Sequence, residues 1–472
     1  MEQRNWVKRS FPTFLRWAKR GALIVVVVLI VLLILDTALT LVLQRRVESK
    51  IAEIREAGGA MTFSELVGEL LSDQKNAMIH YSYALSIMGP VLAEYDGLGY
   101  DVYTAFHTLP RSSMMSERER SRAVGHEYER GVEAATKYLE KVQSGVEVDG
   151  REIEIAARHI FTKMEPGLQV VKDARALDQA QMLVDYDIGV DAASRSILPH
   201  LARMRALARY VGDAAILEAR EGNMKEASEL ISAGLHIANA LKREPLLITQ
   251  LVRMAIGGIA IGAMYETLEE GYLPDERLRE IIAELDELRD RRPFAGGLQG
   301  ELCFFLARDR QLMGASYVGR PFRLVDEEAY LKYMPRVIEF AAVPSYESRL
   351  ALKELGDEVS TISKLKVATR TTVPAFSRAL PAQDRIVVQC DLAEMAIYLK
   401  QLKKKTGSYP EKLDAIVPEY IQELPVDPFT GAPYLYRKES EGFVLYSVSV
   451  NLVDDGGKPD AREGDIVWRS SR

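Results

Sequence analysis

The most uniform apolar stretch lies near the start of the chain. Residues 22–43 read ALIVVVVLIVLLILDTALTLVL, with Asp36 the one charge inside. As a helix these residues span roughly 33 Å at ~1.5 Å each, enough to cross a hydrocarbon layer of about 30 Å. The preceding segment sets Arg4, Lys8, Arg9, Arg16, Lys19 and Arg20 against Glu2, with Trp6 and Trp17 at interfacial positions. After the stretch, Arg45, Arg46 and Lys50 are diluted by Glu48 and Glu53. This bias predicts a single transmembrane helix, with residues 1–21 cytoplasmic and the bulk of the chain outside. The run is too long for a signal peptide, and no small-residue cleavage pattern directly follows it, so an uncleaved anchor is expected. Asp36 lies about two turns from the outer end, where a carboxylate reaches the interface.

From residue 44 to 365 the periodicity is helical. Thr62-Phe63-Ser64-Glu65 has the form of a capping box before Leu66, Leu70 and Leu71. Residues 76–88 mix small and large apolar side chains at helical spacing, and 144–152 read as a turn. Leu201, Met204, Leu207, Ala208, Val211, Ala215 and Ile216 form one stripe. Glu221-Gly222-Asn223 closes that helix, and a second follows with Ala227, Leu230, Ile231, Gly234, Leu235, Ala238 and Leu241 inward. Residues 206–241 resemble a tetratricopeptide-like hairpin, without a clean recurrence along the chain. Pro245 opens a third, very apolar helix. Its Ala255, Gly258 and Gly262 share a face and predict a close helix–helix crossing. Arg253 within it and Glu266, Glu269 and Glu270 after it argue for a buried soluble helix over a second span.

Residues 366–383 hold two prolines and little periodicity, and read as a linker. A helix is expected from about Asp384, with Leu392, Met395, Ala396, Leu399 and Leu402 on one face. Lys403, Lys404 and Lys405 fill its last turn and Gly407 stops it. Two strands, 434–437 and 443–448, follow within a C-terminal domain spanning 384–472. The fold class expected is mainly α, with a small α+β domain at the end.

Composition narrows the partners. The 472 residues carry 61 Lys and Arg against 68 Asp and Glu, which leaves no basic excess for nucleic acid. The two cysteines, Cys303 and Cys390, exclude a disulfide scaffold or a cysteine zinc cluster. Two buried free thiols are expected, although a bridge is permitted outside the cytoplasm.

The C-terminal segment carries a family resemblance. A helix leads into Gly407-x-Tyr409-Pro410. Leu413 and Ile416 follow on a short helix. Leu424-Pro425-x-Asp427-Pro428-Phe429-x-Gly431-x-Pro433-x-x-Tyr436 comes next, then Tyr446-Ser447 and an acidic loop. In that order these elements resemble the globular domain of the major pseudopilin, the type II secretion system protein G family, over about 85 residues. The resemblance implies a calcium-binding loop, whose ligands here would come from Asn451, Asp454, Asp455, Asp460 and Asp465. Oxygen ligands of this kind suit a hard cation. Ser449 and Leu452 stand where the family has glycines. The pilin-type leader also departs: Gly21 is followed by Ala22 and Leu23, with Val26 where glutamate belongs. The overall layout resembles membrane-anchored envelope proteins of planctomycete-type bacteria, which implies the bacterial inner membrane as the setting.

Catalytic patterns are sparse. The six histidines, at 80, 107, 126, 159, 200 and 236, form no HExxH pair; His126-Glu127 and His159 with Glu165 come nearest to an acid/base pair. Lone helical histidines of this kind are expected at the surface. Asp187 and Asp191 share a face if their stretch is helical. The leading expectation is an extracytoplasmic scaffold with protein partners, accessory to a secretion-like or surface assembly. The alternatives are an envelope hydrolase using carboxylates and histidines of the helical body, and an atypical pseudopilin. A pocket with converging titratable groups would favour the hydrolase.

Overall fold

In the computed structural model the apolar stretch is part of one long helix, α1 (Gln3–Glu56), of 54 residues and roughly 80 Å. The structure describes residues 3–94, 150–182, 184, 186, 190–315, 319–458 and 464–471. Most of the expected turn at 144–152, together with His107, His126, Asp187 and Asp460, lies outside the described residues. Along 22–39 the apolar side chains of α1 are exposed, and none of the described residues covers them. Thr40, Leu43, Val47 and Ile51, at three- and four-residue steps, are buried against the body. The helix therefore leaves the apolar stretch and enters the core without a break.

Among the described residues helix accounts for 72% and strand for 5%, which places the fold in the mainly α class. After α1 come α2 (Phe63–Val67), α3 (Ala77–Glu94), α4 (Gly150–Asp173), α5 (Val190–Arg220), α6 (Met224–Asn239) and α7 (Leu247–Glu270). There follow α8 (Asp275–Arg289), α9 (Arg292–Ala315), α10 (Arg320–Ala341), α11 (Ser345–Thr361), α12 (Val367–Ser377) and α13 (Leu380–Thr406). Thr62 caps α2 by accepting from the Glu65 amide at 3.2 Å, and Glu65 in return accepts from the Met61 amide at 2.7 Å. Gly222 and Gly407 end α5 and α13 with φ of +84° and +85°, where a side chain would be strained.

The centre of the body is the packing of α5, α6 and α7. Helix α7 is long and apolar, yet mostly buried, as expected for a soluble core helix. Its close crossings differ from those expected. A Cβ on Gly262 would meet nothing within 4 Å, and one on Gly258 only the Gln389 amide oxygen at 3.4 Å. The tight approaches use the neighbouring stripe instead. A Cβ on Gly212 would lie 3.2 Å from that of Ala263, and one on Gly234 3.3 Å from that of Ala260. Both faces of α7 are rich in small residues, so spacing alone did not decide which one closes.

The expected linker is also corrected. Residues 367–377 form α12, and α13 begins at Leu380, with Pro381 in its first turn where a missing N–H costs nothing. Helix α12 is held from a distance: the Asp326 carboxylate of α10 accepts from the amides of Ala368 at 2.7 Å and Thr369 at 3.0 Å. An acidic side chain at a helix start satisfies amides that lack partners there.

The C-terminal sheet is antiparallel in the order β1 (Leu435–Lys438), β2 (Phe443–Ser447), β3 (Ile466–Ser470). Leu435 pairs with Tyr446, and Phe443 with Ser470. The third strand, β3, adds to the two that the sequence pattern predicts. The central strand is buried along its whole length, and α13 lies between the sheet and helices α7 and α8.

Candidate functional site

The acidic loop between β2 and β3 was the candidate cation site. Asn451 accepts from the Val453 amide at 3.0 Å. Asp454 accepts from the Gly456 amide at 2.8 Å and the Tyr446 hydroxyl at 3.0 Å. Asp465 is buried and accepts from the Gly457 amide at 2.8 Å. These side chains shape the loop from within. Among the described residues, no three of His, Cys, Asp or Glu come together as metal ligands. Ser449 and Leu452 adopt φ of +60° and +59°, a region that side chains rarely enter.

The helical body contains a polar cluster that single residues did not announce. On α8, Glu280, Glu284 and Glu287 stand three and four residues apart and face α6. Asn239 of α6 donates to Glu284 at 2.7 Å, Lys242 to Glu287 at 2.7 Å, and Ser232 to Glu280 at 2.8 Å. Arg175 reaches Glu280 at 2.7 Å. Beneath them the fully buried Arg253 donates to the side-chain amide oxygen of Asn239 at 3.2 Å and to the Glu287 backbone carbonyl at 2.5 Å. Burial lowers its pKa to about 10. Burial also pushes the Glu284 carboxyl up to about 7.

His236 joins the same cluster. Its Nδ1 lies 2.6 Å from the Tyr81 hydroxyl, and burial lowers its pKa. His159 is buried as well, so two of the described helical histidines leave the expected surface. Histidine on an otherwise apolar face of α6, opposite an acid-lined α8, is the pattern that signals such a joint. Around it is a cavity of about 130 Å³ lined by Arg175, His236, Asn239, Lys242, Glu284 and Glu287.

Two other hollows are present among the described residues. The face of α7 expected to make a crossing opens a cavity of about 220 Å³ with Arg209, Asp213 and Gln389 on its walls. Asp213 is buried, and burial pushes its carboxyl up to about 7. A shallower cleft of about 350 Å³ lies beside Arg243, Asp290 and Arg292, with no histidine or cysteine in its lining. Cys303 and Cys390 are free and buried, and burial raises both thiols.

The sheet meets the helical body through polar bonds that run from buried to exposed. Glu269 of α7 accepts from the Ser470 hydroxyl at 2.7 Å, the Ser471 hydroxyl at 2.8 Å and the Ser471 amide at 3.2 Å. Burial alone would raise this carboxyl; those bonds and nearby Lys400 hold it below its ordinary value. The Tyr434 hydroxyl donates to Asp391 at 2.7 Å, and Arg289 bonds Glu394 at 2.6 Å. The Tyr265 hydroxyl donates to the Arg469 carbonyl at 2.8 Å while its ring meets Trp468 edge-on.

No family model matches this chain, and neither a curated protein nor a solved structure matches it.

Proposed function

We propose that this chain is a membrane-anchored scaffold of the bacterial envelope, with its N-terminus in the cytoplasm and its helical body and sheet outside. One observation carries the reading. An uncovered apolar helix of membrane-spanning length continues unbroken into the body and packs there. Exposed apolar side chains over several turns are costly in water and favourable in lipid. A reporter fused after residue 471 should be active only outside the cytoplasm, and crosslinking in intact envelopes should recover reproducible protein partners. A cytosolic reporter would defeat the reading.

We read the C-terminal segment as pseudopilin-like. A three-stranded sheet on a long helix supports this, as do the left-handed Ser449 and Leu452 at positions where that family has glycine. The departures at Gly21 and Val26 keep filament assembly out of the proposal; an intact N-terminus by mass spectrometry is the expected result. The hydrolase alternative is disfavoured. The polar cavity around His236 is well below the ~300–1,000 Å³ usual for ligand sites, and its acids are engaged in bonds between helices; the 350 Å³ cleft is shallow and has no histidine or cysteine in its lining.

A further inference from the structure

Helices α1 and α10 lie side by side and run in the same direction, which three contacts establish. Arg46 of α1 faces Glu328 of α10 at 4.0 Å. Helices α9 and α10 form an antiparallel hairpin in which Phe305 stacks on Tyr330 at 3.9 Å. Gln299, six residues before Phe305, therefore stands level with about Arg336. That same Gln299 donates to the Ala60 carbonyl and lies beside Gly59, whose amide bonds back to the Ile54 carbonyl at 2.9 Å. Residue 46 is thus level with 328, and 54 with about 336.

Counting back at ~1.5 Å per residue places Phe322 level with Thr40, inside the apolar stretch 22–43. The burial of Thr40 and Leu43 among exposed Leu39, Leu41 and Val42 agrees with that height. Helix α12 starts at nearly the same height, because Asp326 holds the amides of Ala368 and Thr369. Phe322 and Val367 thereby lie within about a turn or two of one another along α10, with Leu365 two residues before Val367, and the three are 58%, 61% and 58% exposed. Arg320, Lys364 and Lys366 adjoin them in sequence, and Arg45 and Arg46 stand a turn or more above Thr40 on α1, toward the body.

We propose that the first turn of α10 and residues 364–367 form a second membrane contact. Phe322, Leu365 and Val367 enter the headgroup region of the outer leaflet, and the adjacent cations meet anionic lipid phosphates. The proposal rests on reading α1 as a membrane helix. Lipid is the occupant because α1, packed on α10, sets the patch at bilayer height. Apolar side chains flanked by arginine and lysine are also the composition of interfacial elements. The patch would stop the body from tilting on its anchor.

The test uses the full chain in vesicles of phosphatidylethanolamine and phosphatidylglycerol. An environment-sensitive fluorophore is attached to Phe322→Cys, Leu365→Cys, Ile30→Cys or Leu350→Cys, with Cys303 and Cys390 buried and unreactive. Leu350 is 71% exposed on α11, eight residues before Glu358, which bonds Lys332 and Arg336, and so stands well above the patch. Nitroxide lipid labelled near the headgroup should quench positions 322 and 365 at least about twofold more than position 350. Quenching at 322 and 365 no greater than at 350, with position 30 quenched by deep nitroxide, would overturn the patch and leave the anchor standing. An unquenched position 30 would remove both. Combining Arg320→Gln, Lys364→Gln and Lys366→Gln should weaken quenching at 322; no change would remove the electrostatic half of the proposal.

Discussion

The helical body joins its two appendages by opposite chemistry. At the anchor, α1 lays Leu43, Val47 and Ile51 on α10, with Arg46–Glu328 a long, exposed ion pair beside them. At the sheet, the joint is made by Glu269, Asp391 and Tyr265, each with a polar partner across the boundary. Apolar contact is non-directional and tolerates small sliding. Buried hydrogen bonds specify one register, and each costs heavily when a single partner is lost. The anchor joint therefore sets height and direction, whereas the sheet joint sets a fixed arrangement.

The largest break in this contrast should come from Asp391→Ala. It removes the acceptor of Tyr434 and a neighbour of Arg289, and should cost about 2–4 kcal/mol by urea unfolding. Asp391→Asn keeps an acceptor and should cost about half as much.

Next is a pH effect within the body. Burial places Glu284 at about 7 in the folded chain, above its ordinary 4.5. The folded state then binds more protons than the unfolded state between those values, so stability falls as pH rises through that window. Glu284→Gln should remove this loss, gaining on the order of 1–3 kcal/mol above pH 7 and little near pH 4.5. A stability profile parallel to that of the parent would refute the assignment.

Smaller again, Leu43→Ala and Val47→Ala should each weaken the anchor joint by roughly 1–2 kcal/mol. Hydrogen exchange should quicken in α10, while the unfolding midpoint of the sheet, read by Trp468, stays put. A global loss equal to that of Asp391→Ala would erase the distinction between the joints. Smallest is Leu452→Gly, which relieves a left-handed leucine and should stabilise the loop by about 0.5–1 kcal/mol, seen as a slightly raised Tm.

Features decided by nearest neighbours were legible in the sequence. Residues 22–43 needed only their composition, and the ends of α5 and α13 only Gly222 and Gly407. Features decided by distant partners were not. Helix α12 read as linker because Pro374 and Pro381 suggest a break, and the Asp326 that caps it lies some forty residues away. The acids of α8 gave no signal of their own in the sequence, because their partners Arg175, Ser232, Asn239 and Lys242 come from other elements. Strand β3 pairs only with β2, beyond an acidic loop whose path local spacing does not determine.

The bonds from Ser470 and Ser471 to Glu269 also bear on how the chain is made. The acceptor emerges from the ribosome about two hundred residues before its donors. At ~5–20 residues per second, that leaves α7 waiting on the order of 10–40 s for the groups that complete it. During that interval the Glu269 carboxylate lacks the serine donors that complete it.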